Sequence, residues 1–78
     1  THVLVVPREH VADAATAAAT VTGLLDALVR DAHEVAKAED VVDSGYRIVF
    51  NTGAGAGQTV FHLHAHVLGG RGLNWPPG

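Results

Sequence analysis

The chain has no cysteine, and its aromatic residues are few: two Phe, one Tyr and one Trp among 78 residues. Without cysteine there is no disulfide framework and no thiolate metal site, so any metal would be held by His, Asp and Glu. Because aromatic side chains are scarce, the core must be built from Val, Leu and Ala. A chain of this length forms one domain at most, and it buries only somewhat more than ~60% of the surface that its unfolded form exposes.

Long apolar runs and an excess of positive charge are also absent. No apolar stretch approaches the ~20 residues that cross a bilayer, and the N-terminus does not have the basic segment and apolar core of a signal peptide. Five Lys and Arg against eight Asp and Glu give a net charge of -3. The cations are spread along the sequence, at Arg8, Arg30, Lys37, Arg47 and Arg71. We therefore expect a cytoplasmic protein that binds neither nucleic acid nor membranes.

The apolar pattern divides the chain into short strand-like runs and one helical stretch. The predicted elements are a strand at 2–7, an amphipathic helix at about 16–38, a strand at 46–51, a glycine-rich loop at 51–59 and a strand at 59–70. This order, with a short connection between the last two strands, predicts an α+β fold in which a helix packs on one face of an antiparallel sheet. The two prolines of the tail exclude helix and central strand there.

Three histidines, His62, His64 and His66, alternate with apolar residues in the last predicted strand. Because successive side chains of a strand point to opposite faces, the imidazoles are expected on one face and the apolar side chains on the other, toward the core. The row could be a solvent-facing side without function, although histidine is too infrequent for coincidence to be a good explanation.

A metal site is one functional alternative. A His-x-His pair can supply two ligands at ~2.0 to 2.1 Å from zinc. The outer two of three alternate positions, however, lie ~13 Å apart at their Cα atoms, so all three histidines cannot easily close on one ion. A zinc-binding histidine cluster is therefore the weaker alternative, and we expect no metal and no other cofactor.

Nucleophilic catalysis by imidazole is the other functional alternative. A neutral His can attack phosphorus or a carbonyl carbon if its second nitrogen is held in the right tautomer and donors stabilise the developing oxyanion. The glycine loop could add backbone N–H groups, and Asn51, Gln58 and Thr59 could add neutral donors, a set suited to phosphate. The same loop could instead be only a flexible hairpin connection.

The segment "GQTVFHLHAHVLGGRGLNWPPG" resembles the histidine-triad superfamily, whose signature is His-x-His-x-His followed by two apolar residues. The ending "WPPG" is similar to the Hint-like branch of nucleotide-binding phosphoramidases, and "THVLVVPREH" and "GYRIVFNTG" extend the resemblance over essentially the whole chain. The resemblance implies a single histidine-triad domain over residues 1–78 and a two-fold homodimer that extends the sheet.

Residue by residue, the resemblance implies that His64 is the nucleophile that takes a nucleoside monophosphate onto its ring. His62 and His66 would be the tautomer-fixing neighbour and the contact to phosphate or leaving group. His2 matches a family histidine that hydrogen-bonds to the triad, and we expect it beside His62. Relatives that transfer nucleotides commonly replace the last triad histidine by glutamine, so the retention of His66 favours hydrolysis.

The resemblance also implies a phosphate site formed by Asn51, Gly57, Gln58 and Thr59 together with the triad. Trp75 is expected to anchor the tail on a neighbouring subunit. The two remaining histidines, at positions 10 and 33, are expected on the surface and outside the site.

One part of the family pattern is missing. Family members carry an N-terminal helix and hairpin upstream of the position of Thr1, with an acidic residue for the ribose and apolar residues for the base. The chain starts without Met and runs directly into a predicted strand, so we expect a C-terminal portion with an incomplete nucleoside pocket. The favoured function is hydrolysis of purine nucleoside phosphoramidates to monophosphates. The alternative is a non-catalytic nucleotide-binding or dimer-forming module.

Overall fold

A computed structural model describes all 78 residues. Its elements are β1 (His2–Val5), α1 (Ala14–Thr20), α2 (Leu24–Ala38), β2 (Tyr46–Val49), a 3₁₀ turn (Ala54–Ala56) and β3 (Ala65–Gly69). The three strands form an antiparallel sheet in the order β1-β3-β2. The predicted α+β fold is confirmed. No helix of the chain is long and apolar enough to cross a membrane.

The helical region differs from the prediction, because two helices replace the single helix expected at about 16–38. The first helix begins earlier, since the carboxylate of Asp13 accepts a hydrogen bond of 2.8 Å from the Thr16 N–H and caps it. Hydrogen bonding to Thr16 lowers the pKa of the Asp13 carboxyl. Gly23 separates the helices with a left-handed φ of 82°, a conformation that glycine adopts without steric cost. The break lets Ala17 of α1 be buried with the core of α2.

The strands are shorter than predicted, most clearly the last one, which covers 65–69 instead of 59–70. Residues 58–63 have only isolated hydrogen bonds to the turn after β1, such as the one that the Leu63 N–H donates to the Val11 carbonyl at 2.6 Å. The first strand ends at Val5, before Pro7, which has no N–H to continue a ladder. The triad therefore begins outside the regular sheet.

The core lies between α2 and one face of the sheet. The helix buries Leu24, Leu28, Ala32 and Ala36, one stripe at helical spacing. Against them lie Leu63, Ala65 and Val67, which are at most 2% exposed. The packing is close at the end of β3, where a Cβ added to Gly69 would lie 2.9 Å from the Cβ of Val41. We call this helix-covered side of the sheet the inner face and the opposite side the outer face.

Candidate active site

The three triad histidines are half-buried on the outer face, and each is followed by a buried apolar residue. Their predicted alternation with the core is confirmed, although only His66 lies within β3. His62 lies at a bend and His64 in the irregular segment between that bend and β3. The rings of His64 and His66 are in edge-to-face contact, with centroids 5.0 Å apart.

The hydrogen bonding of His64 fixes its tautomer. Its Nδ1 lies 2.8 Å from the carbonyl oxygen of His62. Because a carbonyl oxygen can only accept, this hydrogen bond requires the proton on Nδ1, and the neutral ring then carries its lone pair on Nε2. His64 and His62 also line an open, mostly apolar cavity of about 290 Å³ with Leu4, Val6 and Val60. An imidazole with a free lone pair, on a residue that lines an open cavity, has the chemical requirement for attack on a bound ligand.

His62 is held by the turn that follows β1. Its Nε2 lies 3.0 Å from the Pro7 carbonyl oxygen, to which it donates. The ring of His10 packs edge-to-face on the ring of His62 at 5.5 Å. His10 is exposed, as expected, but this contact places it beside the triad. Its place could have been suggested only by pairing the "PREH" turn with the triad segment, which needs the register of the two segments.

His66 has a different partner from the one predicted. Its Nδ1 lies 2.9 Å from Nε2 of His2, with the rings 5.1 Å apart, so the expected contact between His2 and His62 is wrong. The antiparallel register is the reason, since it places His2 opposite Leu68 at the far end of β3. Partial burial, followed by the charges of His64 and His2, lowers the pKa of His66 below 6.5. His66 is therefore mainly neutral at pH 7.

Gln58 is a structural residue of the loop and not a free donor. It is 3% exposed, and its Nε2 donates to the carbonyl oxygens of Ala12 at 2.8 Å and Val60 at 3.2 Å. Its Oε1 accepts from the Gly53 N–H at 2.8 Å. The side chain expected to hold phosphate is thus fully engaged in the loop. A buried glutamine next to three glycines indicates a residue that holds the loop in shape, but the burial of a side chain cannot be predicted from the sequence alone.

The backbone N–H groups of Gly57 and Gln58 in the glycine loop also have partners within the loop. The N–H groups of Gly57 and Gln58 donate to the carbonyls of Ala54 and Gly53, at 3.0 and 3.1 Å, so they are not free for an anion as the sequence suggested. Asn51 donates one amide hydrogen to the Ala56 carbonyl at 2.9 Å, which leaves its second hydrogen. Of the expected phosphate donors, Thr59 is the most accessible, since it is exposed at the end of this loop.

The remaining predicted residues lie away from the triad or at its edge. Trp75 is 81% exposed, and the guanidinium of Arg47 lies 5.9 Å from its ring centroid. His33 is exposed on α2, where its Nδ1 lies 2.6 Å from the hydroxyl of Tyr46. No cluster of three or more His, Asp or Glu side chains has a metal-binding arrangement.

Known proteins are similar to this chain over nearly its whole length. An uncharacterized HIT-like protein of Synechococcus elongatus is 47% identical over 99% of this chain and 67% of its own. One of Synechocystis is 46% identical with the same coverage. The chain thus spans about two thirds of the length of these relatives.

Solved structures agree with this similarity. A HIT family hydrolase from Legionella pneumophila superposes with a TM-score of 0.92 at 42% identity, over 100% of this chain and 70% of that one. A HIT family hydrolase from Clostridium thermocellum gives a TM-score of 0.89 at 39% identity, over 95% and 64%. The HIT domain model matches residues 1–73. Because this match covers most of the chain and the relatives are more than 45% identical, the chain belongs to the HIT domain family.

Proposed function

We propose that the protein hydrolyses nucleoside phosphoramidates through a nucleotidyl intermediate on His64. The observation that carries this proposal is the hydrogen bond from His64 Nδ1 to the His62 carbonyl. It leaves the Nε2 lone pair available without a separate base, which is the requirement for imidazole as a nucleophile. The HIT family hydrolases that superpose on the chain support the general class of reaction.

The proposed reaction has two displacements at phosphorus. In the first, the Nε2 lone pair of His64 forms a bond to the α-phosphorus while the P–N bond of the substrate breaks, and the nitrogen leaves as an amine after taking a proton from solvent. In the second, water attacks the phosphorus, its proton passes to solvent, and the bond to His64 breaks to release the monophosphate. The products are the amine, the nucleoside monophosphate and the free histidine.

The donors proposed for the phosphoryl oxygens follow from which groups have unused hydrogens. The lowered pKa of His66, caused first by partial burial, favours its neutral ring. If His2 donates to its Nδ1, His66 carries its own proton on Nε2 and can donate to phosphate. Thr59 and the second amide hydrogen of Asn51 complete the set. In this proposal the backbone of Gly57 and the side chain of Gln58 hold the loop in shape without touching phosphate.

We also propose a purine nucleotide as ligand and a cytoplasmic homodimer as the working form. The support for a dimer is that both outer strands of the sheet leave an edge unpaired, and unpaired edges are sites of association. Because the chain spans about two thirds of the length of these relatives, we expect it to show a raised KM for the substrate. Sedimentation at several protein concentrations tests the oligomeric state.

The proposal is tested by trapping the adduct. The protein is incubated with adenosine phosphoramidate at millimolar concentration, quenched and analysed by mass spectrometry for an added nucleotide. We expect an adduct that His64→Ala abolishes, with turnover falling by ~10⁴-fold or more, the scale seen on loss of a covalent nucleophile. His33→Ala, an exposed histidine away from the triad, is the matched control. Saturable AMP binding without adduct or monophosphate would instead favour a non-catalytic binding module.

A further inference from the structure

The peptide unit between His62 and Leu63 is hydrogen-bonded on both sides. Its carbonyl oxygen accepts from Nδ1 of His64 at 2.8 Å, and its N–H donates to the Val11 carbonyl oxygen at 2.6 Å. This peptide bond is trans, and a trans peptide unit is planar, so its N–H and C=O point in opposite directions. The hydrogen bond to Val11 on one side therefore sets the direction in which the oxygen faces His64 on the other.

Val11 belongs to the turn after β1, residues 7–12, and is itself fixed by the core. Its side chain is 7% exposed and packs in the cluster that contains Leu24, Leu28 and Leu63. Because core side chains are closely packed, a buried side chain restricts the backbone that carries it. The orientation of the 62–63 peptide unit is thereby connected to the apolar core through the Val11 carbonyl.

The same turn also holds the side chain of His62. The Pro7 carbonyl oxygen accepts from Nε2 of His62 at 3.0 Å. The ring of His10 packs edge-to-face on the His62 ring, with the centroids 5.5 Å apart and an angle of 84° between the planes. A third carbonyl of the turn, that of Ala12, accepts from the side chain of Gln58 at 2.8 Å. The turn therefore contacts the start of the triad through backbone and side chain together.

We propose that His10 is a positioning residue for the nucleophile. Its ring packs against that of His62 and, together with the carbonyls of Pro7 and Val11, keeps the His62 carbonyl oxygen at Nδ1 of His64. His10 does not line the cavity beside His64, so it acts through His62 and not on a ligand there. This inference rests on the proposed role of His64 as nucleophile, but the positioning is a property of the protein without ligand.

The tautomer of His64 is what this positioning controls. A neutral imidazole carries one proton, and the hydrogen bond made by one ring nitrogen decides which nitrogen carries it. While the His62 oxygen stays at Nδ1, the proton is on Nδ1 and the lone pair is on Nε2. If the oxygen can move away, part of the molecules carry the proton on Nε2, and those molecules have no Nε2 lone pair with which to attack phosphorus.

NMR of the histidine ring nitrogens measures the tautomer without a substrate. In isotopically labelled protein at about pH 8, where an ordinary histidine is neutral, the nitrogen shifts of His64 show which nitrogen is protonated. We expect the Nδ1-protonated form in the unaltered protein. In His10→Ala the shifts of Nδ1 and Nε2 should move toward each other, as a mixture of tautomers requires. His10→Phe keeps a ring at this position and should restore the shifts of the unaltered protein.

The rate of adduct formation gives a second measurement. In a single turnover with adenosine phosphoramidate, the maximal rate in His10→Ala should fall ~2- to 10-fold, the change that corresponds to one edge-to-face ring pair. The substrate concentration at half-maximal rate should change by less than ~2-fold, because His10 does not line the cavity. His33→Ala is the matched control, since His33 is an exposed histidine that contacts Tyr46, and it should alter neither the shifts nor the rate. Circular dichroism checks that each variant folds.

Three results would overturn the positioning role. They are unchanged His64 shifts in folded His10→Ala, an equal change in His33→Ala, and a His10→Phe variant as altered as His10→Ala, which would assign the effect to the nitrogens of His10 and not to ring packing. A proton on Nε2 of His64 in the unaltered protein would overturn this role and the proposed nucleophile together. The expected shifts without any adduct would contradict the proposed hydrolysis alone and would support the positioning of His64 by His10.

Discussion

The two faces of the segment from His62 to Val67 differ in what their side chains contact. On the inner face, Leu63, Ala65 and Val67 are 2%, 0% and 0% exposed and belong to the apolar core. On the outer face every histidine has a polar partner, since His62 bonds to a carbonyl of the turn after β1, His64 to the carbonyl of His62, and His66 to His2. One backbone therefore serves stability on one side and chemistry on the other.

This difference is possible because the side chains of neighbouring residues in a strand lie on opposite faces of the sheet. Successive side chains point in opposite directions, so packing against the core can fix the backbone without restricting the identity of the outer side chains. The packing of the apolar neighbours then fixes the positions from which the imidazoles extend. Substitutions on the inner face should change the free energy of unfolding, and those on the outer face should change catalysis and pKa values. The predictions that follow test this division.

The largest effect on stability is expected at the inner face. Leu63→Ala should lower the free energy of unfolding by ~2 to 5 kcal/mol, because it removes buried apolar surface and leaves a cavity. Phe61→Ala, two residues earlier and 60% exposed, should change it by less than ~0.5 kcal/mol. Urea denaturation measures both. A loss for Phe61→Ala equal to that for Leu63→Ala would contradict the assignment of the faces.

The close approach of β3 to Val41, in the turn after α2, gives a second prediction. In Gly69→Ala the new methyl group would lie 2.9 Å from the Cβ of Val41, too close for two carbon atoms, so we expect a loss of ~1 to 3 kcal/mol from overpacking. Gly72→Ala is the matched control, because nothing lies within 4 Å of its Cβ position. Equal stability of the two variants in urea would mean that Val41 can move away freely.

Gln58 and Thr59 allow the effects on stability and on catalysis to be compared within one loop, because Gln58 is buried and Thr59 is exposed. Gln58→Ala would remove a buried side chain and leave three partly buried backbone groups without their hydrogen bonds, and it should cost ~1 to 3 kcal/mol of stability. Thr59→Ala should leave stability within ~0.5 kcal/mol and, if Thr59 donates to the phosphoryl oxygens, slow turnover by ~10² to 10³-fold. Urea denaturation and phosphoramidate turnover are measured on both. The reverse pattern would exchange the proposed roles of the two residues.

The sequence predicted what depends on local periodicity and missed what depends on register. The alternation of histidines with core residues is a property of any extended backbone, so it could be predicted. The partner of His2 depends on which residue of β3 lies opposite it, and this is Leu68, a consequence of the whole sheet. The engagement of Gln58 likewise depends on how the turn after β1 meets the loop.

The helix boundary has a similar explanation. The apolar stripe continued through Gly23, and the period alone favoured one helix. The left-handed φ of this glycine and the capping of α1 by Asp13 divide it into two. Glycine within a helical pattern is a signal for such a break, but whether the chain turns there depends on the packing of α1 on α2.

The smallest expected effect concerns His66 and pH. Its pKa in the folded protein is lowered, first by burial and then by the charges of His64 and His2, so the folded state binds this proton less tightly than the unfolded state does. The resulting contribution to stability is present above the unfolded pKa of about 6.5 and is lost as the pH falls through the folded pKa. In NMR titrations the Cε1 proton of His66 should have its midpoint below 6.5.

Removal of His2 tests the cause of this shift. In His2→Ala the neighbouring charge and the hydrogen bond to Nδ1 are both lost, so the midpoint of His66 should rise toward 6.5 without reaching it, because burial and His64 remain. His33→Ala should leave the midpoint unchanged, since His33 contacts Tyr46 instead of the triad. A midpoint at or above 6.5 in the unaltered protein would mean that the outer face stabilises the imidazolium of His66, and His66 could then act as a charged donor to phosphate.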